Sequence, residues 1–208
     1  MPISNYDDLI KTVVAYSHRG DAQPLLDTFL QLAETEIYSN PDEPLKLLAL
    51  EISDTATTST TSRTLDLPSG ITRQTSIRLE DNDVIRPIPY TNPTNFVTLD
   101  CVSVPTQYTI TNGKIEFNTM PDDNYPVTVN YESMALPLSD SNQTNEVLTK
   151  YPNVYLFGML SNLFTWAMDD EQGSKYSGMF LQAIIDANRA ERAIKYPVGI
   201  NKKAARVL

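Results

Sequence analysis

The side chains able to do chemistry are few. The only histidine, His18, stands beside Arg19 and Gly20 where a helical pattern ends, and the only cysteine, Cys101, has Val102 and Val104 for neighbours. An imidazole at a helix C-terminus is favoured there by the helix dipole, so His18 reads as a surface residue before it reads as a general base. Cys101 reads as a small core residue, and one cysteine excludes an intrachain disulfide. Ser-His-Asp or Cys-His catalysis would have to run through His18, and no nucleophile-elbow pattern is present. One histidine and one cysteine are too few for a zinc site, and no Gly-rich phosphate loop of either common spacing occurs. No catalytic, cofactor-binding or metal-ligating residue is therefore assigned.

Clustered carboxylates are the remaining chemical candidates. Asp81-Asn82-Asp83, Asp122-Asp123-Asn124 and Asp169-Asp170-Glu171 could each offer oxygens to a hard cation such as Ca²⁺. None has the spacing of an EF-hand loop, and each falls where a turn or helix start is expected, so solvated turns are the simpler reading. Arg19-Gly20-Asp21 spells an adhesion tripeptide but sits at a helix boundary. Asn142-Gln143-Thr144 matters as a glycosylation acceptor only in an exported chain. Eleven tyrosines suit interfaces, where a large ring with a polar end is favoured, and also suit strands.

Composition narrows the class. With 208 residues, 41% hydrophobic and 20% charged, the chain can bury a core of ordinary domain size. No run approaches the ~18 apolar residues of a membrane span. Met1-Pro2-Ile3-Ser4-Asn5 has neither a basic start nor an apolar stretch, so cytoplasmic synthesis without export is expected. Net charge is −10, but Arg189 to Leu208 holds six basic residues against one acid, a net of +5, which leaves −15 for the rest. An acidic body repels phosphates and argues against nucleic-acid binding as the main activity. A basic tail on such a body suits docking on an acidic partner or a neighbouring subunit.

These residues need elements to hold them, and the hub is residues 144–196. Leu156, Met159, Leu160, Leu163 and Ala167 recur at helical spacing, with Pro152 suited to a first turn and the preceding Val147-Leu148 helix ending near Tyr151. After the acidic break at 169–171, Tyr176, Met179, Phe180, Ala183, Ile184, Ala187 and Ile194 form a second stripe. The two helices make a hairpin against which other segments or other subunits pack, and Tyr155, Gly158, Met159, Tyr176, Phe180 and Ile184 are its expected packing residues. Gly158, placed mid-helix at a cost of roughly 1 kcal/mol, is read as a site of close backbone approach.

The remaining chain is a helical pair and a β insertion. Residues 4–39 predict two helices: Ser4 or Asn5 caps the first, Gly20 ends it, and Asp21 with Pro24 begins the next. Asn40-Pro41-Asp42-Glu43-Pro44 stops the second. Leu45 to Ile52 is either a helical turn or a strand start, and Thr55 to Thr64 reads as strand, turn, strand. Alternating runs follow at Thr75–Leu79, Val84–Ile88, Tyr108–Ile110, Lys114–Phe117 and Val127–Tyr131, with a tight hairpin at Asn112-Gly113. Thr91 to Thr98 is read as a short helix, and Ser141 to Thr144 as the cap of the return to helix. The fold class is thus α+β, a helical bundle with an inserted small antiparallel β subdomain. Its divisions are 1–44, a helical pair; 45–136, the β-rich insertion; 137–196, the helical hairpin; and 197–208, a basic arm.

This order carries a resemblance. A Leu67-Pro68 turn, a Tyr108-Thr109-Ile110 hairpin, Tyr125-Pro126-Val127-Thr128-Val129-Asn130-Tyr131, Leu136-Pro137-Leu138-Ser139-Asp140 and Tyr151-Pro152-Asn153-Val154-Tyr155-Leu156-Phe157-Gly158 follow one another. Over residues 3 to about 196 the chain resembles the head-to-tail adaptor (connector) proteins of tailed, chiefly short-tailed, bacteriophages. The resemblance implies a virion protein made in a bacterial host: a homo-oligomeric ring, usually of twelve copies, that docks under the portal protein. The ring prolongs a channel through which DNA passes without specific binding, and presents a platform to a tail or nozzle protein. By position, the portal-docking arm comprises Val198, Ile200, Lys202, Lys203, Arg206, Val207 and Leu208. One departure is that family members often carry several arginines after the second helix, where Ile37 to Leu50 has only Lys46. No enzyme, cofactor or membrane is expected. Two alternatives stand beside it: a neck gatekeeper or head-completion protein closing the channel with the loops at 81–83 and 122–124, and a carbohydrate-binding or hydrolytic module on the β subdomain. The second lacks convergent carboxylates and aromatics.

Overall fold

The computed structural model describes residues 2–40 and 43–196. It is α+β, with helices at both ends of the chain and antiparallel sheets between them. The chain divides into a helical unit, from residues up to Leu50 and from Ala135 onward, and a β unit, Glu51–Met134.

In the helical unit, α1 (Tyr6–Ser17) is capped by Asn5, whose side chain accepts the Asp8 N–H at 2.8 Å, and Asp7 and Asp8 lie at the positive end of the helix dipole. It ends two residues earlier than expected. His18 takes the left-handed conformation (φ 53°) that Gly20 was expected to provide, and Gly20 instead opens a 3-10 turn, Gly20–Leu25. The second helix, α2 (Leu26–Ser39), follows directly and buries Leu26, Phe29, Leu30, Ala33 and Ile37. After Ala135 come α3 (Glu146–Lys150), α4 (Pro152–Trp166) and α5 (Asp170–Lys195). The cap of α3 is Asn145 rather than a residue of 141–144: its carboxamide accepts the Leu148 N–H at 2.9 Å.

Helix α4 is central, touching α1, α2, α3 and α5. A helix apolar on most sides needs neighbours on most sides. Val154, Tyr155, Leu156, Met159, Leu160 and Leu163 are all buried, whereas Ala167, placed on the same face from the sequence, falls beyond the helix end. The stripe on α5 is narrower than expected: Phe180, Ala183, Ile184 and Ala187 are buried, but Met179 is 37% and Ile194 65% exposed. The turn between α4 and α5 is also displaced. Met168 occupies it with φ 57°, and the acids expected there cap and begin α5 instead.

The β unit holds seven strands: β1 (Glu51–Thr57), β2 (Thr64–Asp66), β3 (Ile71–Asp81), β4 (Val84–Ile88), β5 (Tyr108–Thr111), β6 (Lys114–Phe117) and β7 (Pro126–Ser133). They form a four-stranded sheet, β1-β7-β3-β4, and a three-stranded sheet, β2-β6-β5. Alternation decides the inner face: Ile77, Leu79, Val127, Val129 and Tyr131 from the first sheet share one core with Tyr108, Ile115 and Phe117 from the second. Two hairpins close on two-residue turns, Asn82-Asp83 and Asn112-Gly113, all four residues having positive φ as this turn type requires. The threonine-rich stretch is strand, turn, strand, yet its two strands belong to different sheets: β1 pairs with β7 and β2 with β6. Leu45 to Ile52 resolves into both readings, a 3-10 turn at Leu48–Leu50 and then β1. The segment 91–98 holds only a 3-10 turn, Pro93–Asn95, as Asn92 accepts the Thr94 N–H and no longer helix follows.

Candidate interaction site

The chemistry-bearing residues do not converge. His18 is exposed at the end of α1. Cys101 is exposed too, a correction to its expected place in a core: it lies in the long segment between β4 and β5, where Val97 (65%) and Val102 (66%) also face outward. The local apolar spelling around it therefore marked a surface. Each acidic cluster is engaged with its own turn or helix. Asp81 pairs with Arg86 at 3.2 Å, Asp122 accepts the Tyr125 hydroxyl at 2.8 Å, and Asp169 caps α5 through the Gln172 N–H at 3.1 Å. No group of three or more potential metal ligands forms among the described residues. Arg19 and Asp21 bond each other at 2.8 Å across the adhesion-like tripeptide, and Asn142 donates to the Pro137 carbonyl at 2.7 Å.

The residues expected to pack lie inside the helical unit. Tyr155, Met159, Phe180 and Ile184 are 6% exposed or less. Tyr176 is half-buried and stacks on Phe164 with ring centroids 5.4 Å apart. Gly158 is a point of close approach, but to side chains and not backbone: a Cβ there would stand 3.0 Å from the Ala33 methyl and 3.1 Å from the Phe180 ring. The surface left for another molecule is on the same helices but at other positions. Met168 (90%), Trp166 (42%), Leu181 (40%), Ile194 and Tyr196 (65% each) are exposed. A groove of about 510 Å³ runs between α2, α4 and α5, lined by Glu36, Ser161, Thr165, Ser177 and Leu181. Beside it, no atom of the described residues lies within 4 Å of a Cβ built on Gly178. The arm residues Val198, Ile200, Lys202, Lys203, Arg206, Val207 and Leu208 lie outside the described residues.

Two buried polar straps, not foreseen from sequence, hold the extended segments on this helical frame. Glu191, only 3% exposed, accepts the Leu48 N–H (2.8 Å), the Tyr151 hydroxyl (3.0 Å) and Lys150 Nζ (3.2 Å). Burial pushes its pKa up, but these donors outweigh burial and hold the carboxyl below its ordinary value. One turn earlier, Asn188 accepts the Lys46 N–H at 2.8 Å and donates to Glu43 and the Pro44 carbonyl. The second strap is centred on Glu34, Tyr155 and Asn145. Glu34 Oε1 accepts the Leu138 N–H at 2.9 Å, and Asn145 donates to the Tyr155 hydroxyl and the Leu136 carbonyl at 2.8 Å each. Burial raises the Glu34 pKa, with the Leu138 N–H and the Tyr155 hydroxyl only partly offsetting it, and burial also raises that of Tyr155. Tyr38, whose hydroxyl accepts the Ala135 N–H, is pushed up to about 12 by burial. A weak signal was available: an acid or amide spaced to fall on an apolar helical stripe, as Asn188 and Glu191 do after Ile184 and Ala187.

An α+β chain whose acidic clusters serve turns and caps, with apolar side chains exposed along α4 and α5, has surface to offer another protein. The family model described as SU10 adaptor protein matches residues 4–201, nearly the whole chain, and the protein belongs to that family of phage head-tail adaptors. A search of curated proteins finds no match. Membership implies binding to other virion proteins. No helix among the described residues is long and apolar enough to cross a membrane.

Proposed function

We propose that copies of this chain form a closed ring, of twelve in the usual adaptor arrangement, that docks on a portal protein, prolongs the DNA channel and offers a platform to the tail or nozzle. The observation that carries the reading is the apolar surface left on the long helices, above all Met168, Trp166, Leu181, Ile194 and Tyr196. On α5, Leu181 and Ile194 stand thirteen residues and about 140° apart, so the exposed apolar side chains offer separate contact surfaces and not one patch. A ring needs two different faces that complement each other. The groove beside Gly178 is suited to receive an adjacent helix at short range. The arm, 197–208, contacts the portal through its cations and its four aliphatic residues, and the β unit meets the tail through the exposed segment that carries Val97, Leu99 and Val102. The chain acts by occupying a position, with no bond made or broken.

The experiment is to mix the purified protein with portal particles and image the product. A stable ring on the portal is the expected outcome, and deletion of residues 198–208 abolishes it. A chain that stays monomeric beside intact portal sinks the proposal. The alternative is a neck gatekeeper or head-completion protein closing the channel with the loops at 81–83 and 122–124; that Asn82-Asp83 is a tight two-residue turn and Asp122 is bonded to Tyr125 favours the platform reading over it.

A further inference from the structure

A second cleft, also of about 510 Å³, opens in the helical unit among α1, α2 and the segment 137–141. Its floor is apolar, with Leu30 and Leu138, and its rim carries Asp27, Glu34 and Asp140. Among the described residues no lysine or arginine lines it. Asp27 accepts the Tyr6 hydroxyl, and Glu34 is held by the Leu138 N–H. Among the ion pairs of the described residues, none involves these three carboxylates. Carboxylates gathered over an apolar floor repel one another and favour a cation with apolar flanks.

The chain has one segment of that composition. Residues 197–208 hold Lys202, Lys203 and Arg206 and no acidic side chain, interleaved with Val198, Ile200, Val207 and Leu208. Its starting point is tied to the cleft rim through a chain of contacts in the helical unit. Tyr196 follows Glu191 by little more than a turn, Glu191 bonds Tyr151 at 3.0 Å, and Tyr155, one turn on from Tyr151, bonds Glu34 at the cleft rim at 3.4 Å. Lys202 and Lys203 stand six and seven residues beyond Tyr196, which gives their backbone a reach of up to about 20–25 Å before the length of the lysine side chain is added.

We propose that in the unassembled subunit residues 197–208 dock into this cleft of their own chain, Lys202 and Lys203 against Asp27 and Asp140, and that a partner which binds the arm must displace it. The arm is then sheltered, its cations neutralised, until a stronger site competes for it. This goes beyond portal docking and is tested without portal, so failure of one reading is separable from failure of the other.

The test uses the full-length protein at low salt, treated with a carbodiimide that joins carboxylates directly to lysines, followed by peptide mapping. Amide links from Lys202 or Lys203 to Asp140 or Asp27, in the monomeric band, are expected. Trypsin cleavage after Lys202, Lys203 and Arg206 should be slow, and several-fold faster at high salt or in Asp27→Asn/Asp140→Asn. Asp140 is exposed, so Asp140→Asn alone carries the comparison if loss of the Tyr6 contact unfolds the double variant. Links confined to a dimeric band, which would make a second copy the occupant, overturn the proposal. So do links to carboxylates elsewhere, or cleavage rates indifferent to both salt and substitution.

Discussion

Single carboxyl groups make the most direct predictions, because each strap depends on one. Glu191 gathers three donors in a nearly water-free position, and hydrogen bonds to a charged, buried acceptor are worth more than neutral ones. Glu191→Ala leaves the Leu48 N–H without its acceptor and should destabilise by about 3 kcal/mol in denaturant titration. The pH dependence has a definite sign. The Glu191 pKa is lowered on folding, so its stabilisation is present above the ordinary glutamate value and is lost as pH falls through the folded value. Glu191→Gln should therefore flatten the acid limb of a stability-against-pH curve. Glu34 runs the other way. Its pKa is raised on folding, so ionisation works against the fold once pH passes the raised value, and stability recovers as pH falls back toward the ordinary one. Glu34→Gln keeps an acceptor for the Leu138 N–H and should leave stability at pH 7 equal or higher, with that part of the pH slope gone. A variant that loses stability at pH 7 while keeping the slope would refute this account.

At the scale of the helices, two glycines in similar positions should respond in opposite ways. Gly158 lies where α4 crosses α2 and α5, and a methyl group there would press on Ala33, which is short and fixed to its backbone, and on the buried Phe180 ring. Gly158→Ala should destabilise by about 1–2 kcal/mol despite its gain in helix propensity. Gly178 meets nothing among the described residues, so Gly178→Ala should stabilise the subunit by about 1 kcal/mol. Thermal unfolding of the two variants side by side checks both signs. If α5 meets an adjacent copy along this face, a larger residue at Gly178 should leave the subunit folded and weaken its assembly.

For the whole molecule, the surface and the core separate cleanly by variant. Leu181→Glu and Ile194→Glu alter exposed positions, so monomer stability should move by no more than about 0.5 kcal/mol. Ring formation, read by native mass spectrometry, should be reduced or lost if these positions meet a neighbour. Intact assembly in both variants would move the proposed interface elsewhere. Much of the fold was legible beforehand. The strands from Val84 to Tyr131 and the turn at Asn112-Gly113 follow from period-two alternation and from the few residues that tolerate positive φ. Helices α2, α4 and α5 follow from apolar spacing, and membership of the adaptor family follows from the order of these pieces. What the linear order did not determine was where each element's sides would find partners. Cys101 and Ile194 have apolar neighbours yet face outward, while Glu191 is an acid in a basic stretch and is buried, because burial depends on which segment comes to lie across a residue. By itself the sequence settled local geometry, which is governed by near neighbours through sterics and periodicity. Only the tertiary structure decided which polar groups would be enclosed and which apolar ones left open, since that choice belongs to contacts between residues more than a hundred positions apart, such as Leu48 with Glu191.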